Sequence, residues 1–353
     1  MSMTAISSNR FGLGARADDR AASDPKRALI AQFDRFEARP SAFASAPTRA
    51  TVANELADYL ETVRGLRMNA EDKAAAKPEM QAARKMARVA GREAYVALVG
   101  ARMNAALTTP APFVERLVHF WANHFAVSAD KLTVVGMGGL LEVEAIRPHV
   151  LGKFSYMLLA VEQHPAMLLY LDQAQSVGPD SPIGARVAAR GKRKIGLNEN
   201  LAREIMELHT LGVRTGYTQA DVTEFARAMT GWTVAGVTRG PVQRFLSNAA
   251  PGSFAFLDGL HQPGERTIMG RRYASSGQQQ ARSVLLDLAS QPATATHVAT
   301  KLARHFTSDV PPPALVERLA TAFRTSGGDL PSVYRVLINA PEVWAAADRK
   351  SVV

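Results

Sequence analysis

Apolar residues recur at three- and four-residue intervals along most of the chain, and proline, glycine and short polar residues punctuate the runs. A predominantly helical fold satisfies that pattern. The 112–125 segment is typical. At about 100° per residue, Phe113, Leu117, Phe120 and Trp121 share one face, and Glu115, Arg116, His119 and Asn123 form the opposite, polar face. Asp24 followed by Pro25 is a helix start, an N-cap with proline in the first turn, and the pattern after it runs to about Phe36. Spacing predicts further helices near 49–67, 78–107, 112–125, 137–147, 154–171 and 198–211, the last closed by Gly212. Thr218 with Asp221 forms a capping box that opens a helix to about Thr230, and helices return near 277–290, 293–307, 313–325 and 330–339. The 233–275 stretch breaks the period with scattered glycine, proline and aromatics. The expected fold is therefore mainly α, a multi-helical globular bundle with an irregular, short-stranded insertion around 233–275.

The expected organisation is an N-terminal helical region (1–172), a flexible basic loop or linker rich in glycine and proline (173–197), and a C-terminal helical region (198–347) packing on the first as one compact unit. The last six residues, 348–353, can be spelled by read-through of a common sequencing adapter, so an artefactual tail on a truncated gene is expected there. No internal repeat is evident.

The chain has no cysteine, which excludes disulfides, zinc–thiolate sites and thiol nucleophiles. No apolar run reaches the roughly 18 residues a membrane span needs. The N-terminus lacks an apolar signal-peptide core, so the chain as written reads as cytoplasmic. The net charge of +10 is compatible with an anionic partner or with a merely arginine-rich surface. Two basic clusters stand out: Arg84, Arg88 and Arg92 on one helix face, and Arg186, Arg190, Lys192, Arg193 and Lys194 in the loop. No recognition helix points to specific nucleic-acid binding. RFGLGAR near the start follows no strand, and no G-x-S-x-G elbow is present.

Two places carry polar residues where burial makes them costly. His124 falls inside the apolar arc of its helix, so it is either a core histidine with one hydrogen bond or a base lining a pocket. On the 198–211 helix, Leu197, Leu201, Ile205 and Leu208 make the core stripe, and Asn200, Glu204 and Glu207 lie beside it. Glu204 borders the apolar face, Glu207 is its like-charged neighbour, and Glu199 and Arg203 are spaced to pair. Either a structural ion-pair network or a general acid/base carboxylate accounts for these residues. Glu207 and His209 point about 200° apart, so this helix alone holds no metal; one would need His124 or His261 from elsewhere, and no metal is assigned. No motif names a cofactor. Asp172 and Ser176, just before the loop, read first as turn formers.

Six stretches together carry a family resemblance: RFGLGAR, HFWANHFAVS at 119–128, HPAMLLYLDQAQS at 164–176, NENLAREIMELHTLGV at 198–213, GYTQADVTEFARAMTGW at 216–232 and HQPGERTIMG at 261–270. The chain resembles the uncharacterised bacterial family catalogued as domain of unknown function 1800, and the NEN-x-ARE-x-x-EL stretch is the most distinctive match. The resemblance implies a helical fold and genomic company with the sulfatase-like family catalogued as domain of unknown function 1501. Relatives often carry export signals, which makes the periplasm the alternative location, and the family pattern continues beyond the end of this chain. They also tend to read His-Asp where this chain has His261-Gln262. Carried over residue by residue, the family's polar motif positions fall on His124, Asp172, Asn198, Glu199, Asn200, Arg203, Glu204, Glu207, Asp221, Arg227 and His261. Of these, Glu204, His124, Glu207 and Arg203 are the catalytic candidates and the others the substrate-binding candidates. Two functions follow as expectations. One is a hydrolase-type enzyme with Glu204 as acid/base and His124 within reach of it. The other is a non-catalytic binding protein that holds an exported or anionic polymeric substrate on its basic surface.

Overall fold

A computed structural model describes residues 2–17, 19, 22–69, 75–189, 196–238, 246 and 248–345 of the chain. Many of the helices begin where the sequence places a proline. Pro25–Ile30, Lys77–Thr108, Pro112–His124, Pro165–Tyr170, Pro292–Phe306, Pro313–Thr325 and Leu330–Asn339 all carry proline in the first turn. There the missing N–H costs nothing and the fixed φ suits the helix. Asp24 caps the first of these through Arg27, and the Thr218–Asp221 capping box opens Gln219–Met229 as expected. The first helix stops at Ile30, short of Phe36, and continues as turns.

Arg49–Asn69 and Lys77–Thr108 form a helical hairpin. The C-terminal helices Pro292–Phe306, Pro313–Thr325 and Leu330–Asn339 pack in succession. One cluster of buried apolar side chains, running from Ile6 to Val343, joins both ends of the chain. At its centre Phe11, Phe113 and Phe306 pack ring on ring, and the buried Trp121 Nε1 donates to Tyr334 Oη at 2.7 Å. The glycine-containing RFGLGAR stretch is part of this frame. Phe11 is fully buried, and Arg16 donates to the carbonyls of Ala106 and Thr109, closing the end of the Lys77–Thr108 helix.

The expected irregular stretch holds two small antiparallel hairpins. Strands β1 (Trp232–Val234) and β2 (Phe254–Phe256) pair with Trp232 opposite Phe256, and β3 (Arg266–Ile268) and β4 (Arg271–Tyr273) pair with Arg266 opposite Tyr273. The fold is thus mainly α with a short-stranded insertion. Among the described residues no helix is long and apolar enough to cross a membrane.

Three expected helices are reshaped. The 137–147 segment becomes a short helix (Gly138–Leu141), a π turn (Glu142–Ile146) and a 3₁₀ turn (Arg147–His149). The 154–171 segment is split by His164-Pro165 into Phe154–Glu162 and Pro165–Tyr170. The 198–211 segment is α-helical over Asn200–Glu204 and π-helical over Ile205–His209.

The expected 173–197 linker is packed where it is described. Gln173, Ser176 and Ser181 are buried, and Pro182–Ala189 is helical. Gly178 makes that possible, because a Cβ there would stand 2.7 Å from the backbone of Gln262. Of the basic loop cluster, Arg186 is exposed on that helix, while Arg190, Lys192, Arg193 and Lys194 lie outside the described residues, as does the 348–353 tail.

Candidate active site

The π turn Glu142–Ile146 is where charge meets open space. A cavity of about 330 Å³ lies between it and two helices. Tyr95, Leu98 and Arg102 reach the cavity from Lys77–Thr108, one helical turn apart, and His119 and Asn123 reach it from the i and i+4 positions of Pro112–His124. Glu142 enters from the π turn, and Phe43, Phe125, Val127 and Leu141 supply apolar wall.

Glu142 is buried, with Oε2 2.7 Å from Arg102 Nε and Oε1 without a hydrogen bond, 3.8 Å from Arg147 Nη1. Burial pushes its carboxyl above the ordinary carboxylate value, against the pull of both arginines. His119 Nε2 is buried, has no hydrogen-bond partner and stands 4.0 Å from Glu115 Oε1. Burial first, and Arg102 second, lower its pKa from 6.5 to about 4, so the ring is neutral at physiological pH. Behind both, the fully buried Glu115 takes a two-pronged contact from Arg147 at 2.6 and 2.9 Å. Arg147 also donates to Ala38 O at 2.9 Å and lies between the rings of Phe36 and Phe43.

On the other side of the π turn, Glu144 faces a second cavity of about 450 Å³, and Phe43 and Leu98 wall both. His164 Nδ1 accepts from Ala166 N, which leaves its proton on Nε2, 3.3 Å from Glu144 Oε2. Arg49 Nε is 3.4 Å from the same oxygen. Burial pushes Glu144 up, but the His164 hydrogen bond and the arginine charges outweigh it and hold the carboxyl below its ordinary value. Two carboxylates of one π turn are therefore driven in opposite directions by different surroundings.

The sequence-derived candidates occupy several separate places. His124 is buried as expected, and its Nε2 donates to His209 O at 3.1 Å while Nδ1 is buried without a partner. Burial lowers its pKa well below the ordinary value, with Lys301 and His209 adding to the effect. His209 Nδ1 in turn lies 2.8 Å from the fully buried Glu162. Glu204 is half-buried and, among the described residues, has no hydrogen bond or ion pair; it is not among the groups that act on His124. Arg203 spans Glu199 at 3.3 Å and Glu207 at 3.6 Å, and Glu199 also accepts from Gln219 and Thr223.

The others build the frame. Asn198 Nδ2 donates to Leu171 O and its Oδ1 accepts from Asn200 N. Asp172, at φ +57°, pairs with Lys131 at 2.7 Å. Asp221 completes its capping box and accepts from Met269 N. Arg227 pairs with Glu224, and His261 Nδ1 lies 2.9 Å from Thr230 O. Gln262 uses both ends of its amide on Asp180, accepting from the backbone N and donating to the carboxylate. An aspartate at that position would face Asp180 with no donor.

Two wheel assignments are corrected. Glu115, expected on the solvated face, is fully buried because Arg147 arrives from another element to pair with it. Leu208, expected in the core stripe, is 45% exposed, and His209 is buried in its stead. The wide π turn advances less than 100° per residue, so the core face shifts by one position. Sequence reasoning does not single out the cavity residues Arg102, Glu142, Glu144 and His164, or Arg147 behind them. The signal available was GGLLEVEAI, an apolar run interrupted by two carboxylates.

A family model described as "Protein of unknown function (DUF1800)" matches residues 7–352. The chain belongs to the DUF1800 family. Neither the curated proteins nor the solved structures contain a match to this DUF1800 chain. Among its described residues no three His, Asp or Glu side chains come together as a metal-binding group.

Proposed function

We propose that the protein is a hydrolase-type enzyme whose proton-transfer group is Glu142. The observation that carries this reading is that one cavity, of about 330 Å³, is lined by both a carboxylate pushed toward its neutral form and a neutral imidazole with an unpartnered nitrogen. A carboxyl raised toward the working pH is suited both to take a proton from water and to return it to a leaving group. His119 stays neutral and orients a water or a substrate oxygen through Nε2. Arg102 holds negative charge that develops on the substrate. The apolar wall suits a small substrate with one polar or anionic end.

The test is a panel of chromogenic carboxylic esters, phosphate esters and glycosides, run on the wild type, Glu142→Gln and His119→Gln. The expected result is hydrolysis of at least one class, lowered about 10²–10⁴-fold in Glu142→Gln. Hydrolysis that is equal in all three proteins, or no hydrolysis of any class, refutes the assignment. The sulfatase-like partner implied by the family resemblance belongs to the same proposal, as a protein acting on the same substrate.

A second reading, binding of an anionic polymer, is favoured by Arg84, Arg88 and Arg92, all exposed on one face and without an ion pair among the described residues. It predicts salt-dependent retention on heparin that is lost when the three are replaced by alanine.

A further inference from the structure

The Lys77–Thr108 helix has two apolar stripes, and the protein itself covers only one. Ala94, Leu98, Ala101 and Ala105 face inward and are buried. On the outer side a second series, Ala82, Met86, Val89, Glu93, Val96, Gly100, Met103 and Leu107, repeats with strict alternation of four- and three-residue steps, and every member is exposed. Met86 is 74% exposed, Val96 66% and Leu107 68%. Single exposed apolar residues are unremarkable, but a row of them broken only by Glu93 and Gly100 marks an interaction surface. A 4–3 alternation is the seam of a coiled coil, shaped to receive another helix.

We propose that this seam docks against the same seam of a second copy of the chain, with the two helices antiparallel. The spacing is symmetric about its own centre, between Glu93 and Val96. Reversed onto itself it pairs Ala82 with Leu107, Met86 with Met103, Val89 with Gly100 and Glu93 with Val96, so all eight positions are used and the two small residues, Ala82 and Gly100, each meet a larger one. A parallel, in-register pair would set Glu93 against Glu93 and Gly100 against Gly100, opposing two charges and leaving a gap. The strip is roughly 38 Å long at about 1.5 Å per residue and roughly 10 Å wide. Two such strips bury about 800 Å² in total, below the standard size of a stable interface, so the dimer is weak and forms in the micromolar range.

The experiment is sedimentation of the full chain from about 1 to about 200 µM, with Val96→Glu and Glu93→Leu alongside. Both positions are exposed, and circular dichroism checks that both variants fold. The expected result is a monomer–dimer equilibrium in the wild type, loss of dimer in Val96→Glu, and tightening of about tenfold in Glu93→Leu as a buried charge is removed. Because the chain has no cysteine, orientation is read by oxidation. Met86→Cys with Met103→Cys in one chain gives a covalent dimer, while Met86→Cys alone does not. A wild type that is monomeric throughout, a Val96→Glu variant that dimerises as well as wild type, or a Glu93→Leu variant that dimerises no more tightly overturns the proposal. Cross-linking through Met86→Cys alone overturns the antiparallel register.

Discussion

Glu115 and Arg147 form the best-sealed ion pair of the fold, and separating them tests the whole electrostatic account of the cavity floor. Glu115 is 0% and Arg147 1% exposed, so neither charge can turn to water if the other is lost. Glu115→Gln keeps the shape and removes the charge. It leaves a buried guanidinium with the Ala38 and Glu37 carbonyls and with Glu142, 3.8 Å away. Removing one partner of a buried pair costs about 3–5 kcal/mol, and the nearby Glu142 places this variant at the lower end. Arg147→Met strands the Glu115 carboxylate with only His119 at 4.0 Å and belongs at the upper end. The double variant Glu115→Leu/Arg147→Met leaves no buried charge, so its loss is smaller than that of either single change. Urea unfolding at neutral pH, with an unchanged slope, measures all three. Glu115→Gln has a second readout. The Glu115 charge helps to raise Glu142, so its removal moves the Glu142 titration, and any acid/base activity that depends on it, to lower pH. Single variants that each lose under about 1 kcal/mol, or a double variant that loses the sum, would falsify the account.

Acid stability should depend on His119. Its folded pKa of about 4 lies below the ordinary 6.5, so the stability it contributes is full above 6.5 and is lost as pH falls toward 4. The contribution is up to about 3 kcal/mol, and His119→Gln removes it. A wild type and variant whose urea midpoints differ by the same amount at pH values near 7 and near 4.5 would exclude this. Gly178→Ala should cost about 1–3 kcal/mol, because its Cβ meets the Gln262 backbone at 2.7 Å, while Gly196→Ala meets nothing within 4 Å and serves as control. Equal melting temperatures for the two would rule out the contact. Tyr334→Phe orphans the buried Trp121 N–H and should cost about 1–3 kcal/mol in denaturant unfolding; a neutral substitution would mean that the bond at 2.7 Å contributes nothing.

Helix positions were legible wherever the chain announces its own turns. Pro112, Pro292, Pro313 and the Thr218–Asp221 box each mark a start that the structure keeps to within a residue or two. The candidate site was less legible, for two physical reasons. A helical wheel assumes a constant turn, and the π turn at Ile205–His209 breaks that assumption, exposing Leu208 and burying His209. A wheel also sees only one helix. Glu115 looks solvated until Arg147 arrives from 32 residues away. The Lys77–Thr108 helix shows a related ambiguity, because its two stripes are similarly periodic and spacing alone does not say which one meets the core.

The contrast between two neighbouring ion pairs is what points to Glu142. The Glu115–Arg147 pair is closed on every side, by backbone carbonyls and by two aromatic rings, and its role in the fold is evident from those contacts. Glu142 is also buried, yet one of its oxygens has no hydrogen bond, and its partner Arg102 is 39% exposed on its side chain. An unsatisfied oxygen beside a cavity is a poor way to hold a fold together, since an apolar side chain of the same size would cost less. Stability and activity should therefore separate along this line. Glu142→Gln, which leaves the Arg102 and Arg147 charges near solvent or near Glu115, should shift the urea midpoint less than Glu115→Gln does while lowering hydrolysis about 10²–10⁴-fold. A Glu142→Gln protein as destabilised as Glu115→Gln would make the carboxylate a second structural pair and withdraw the reason for assigning it proton transfer.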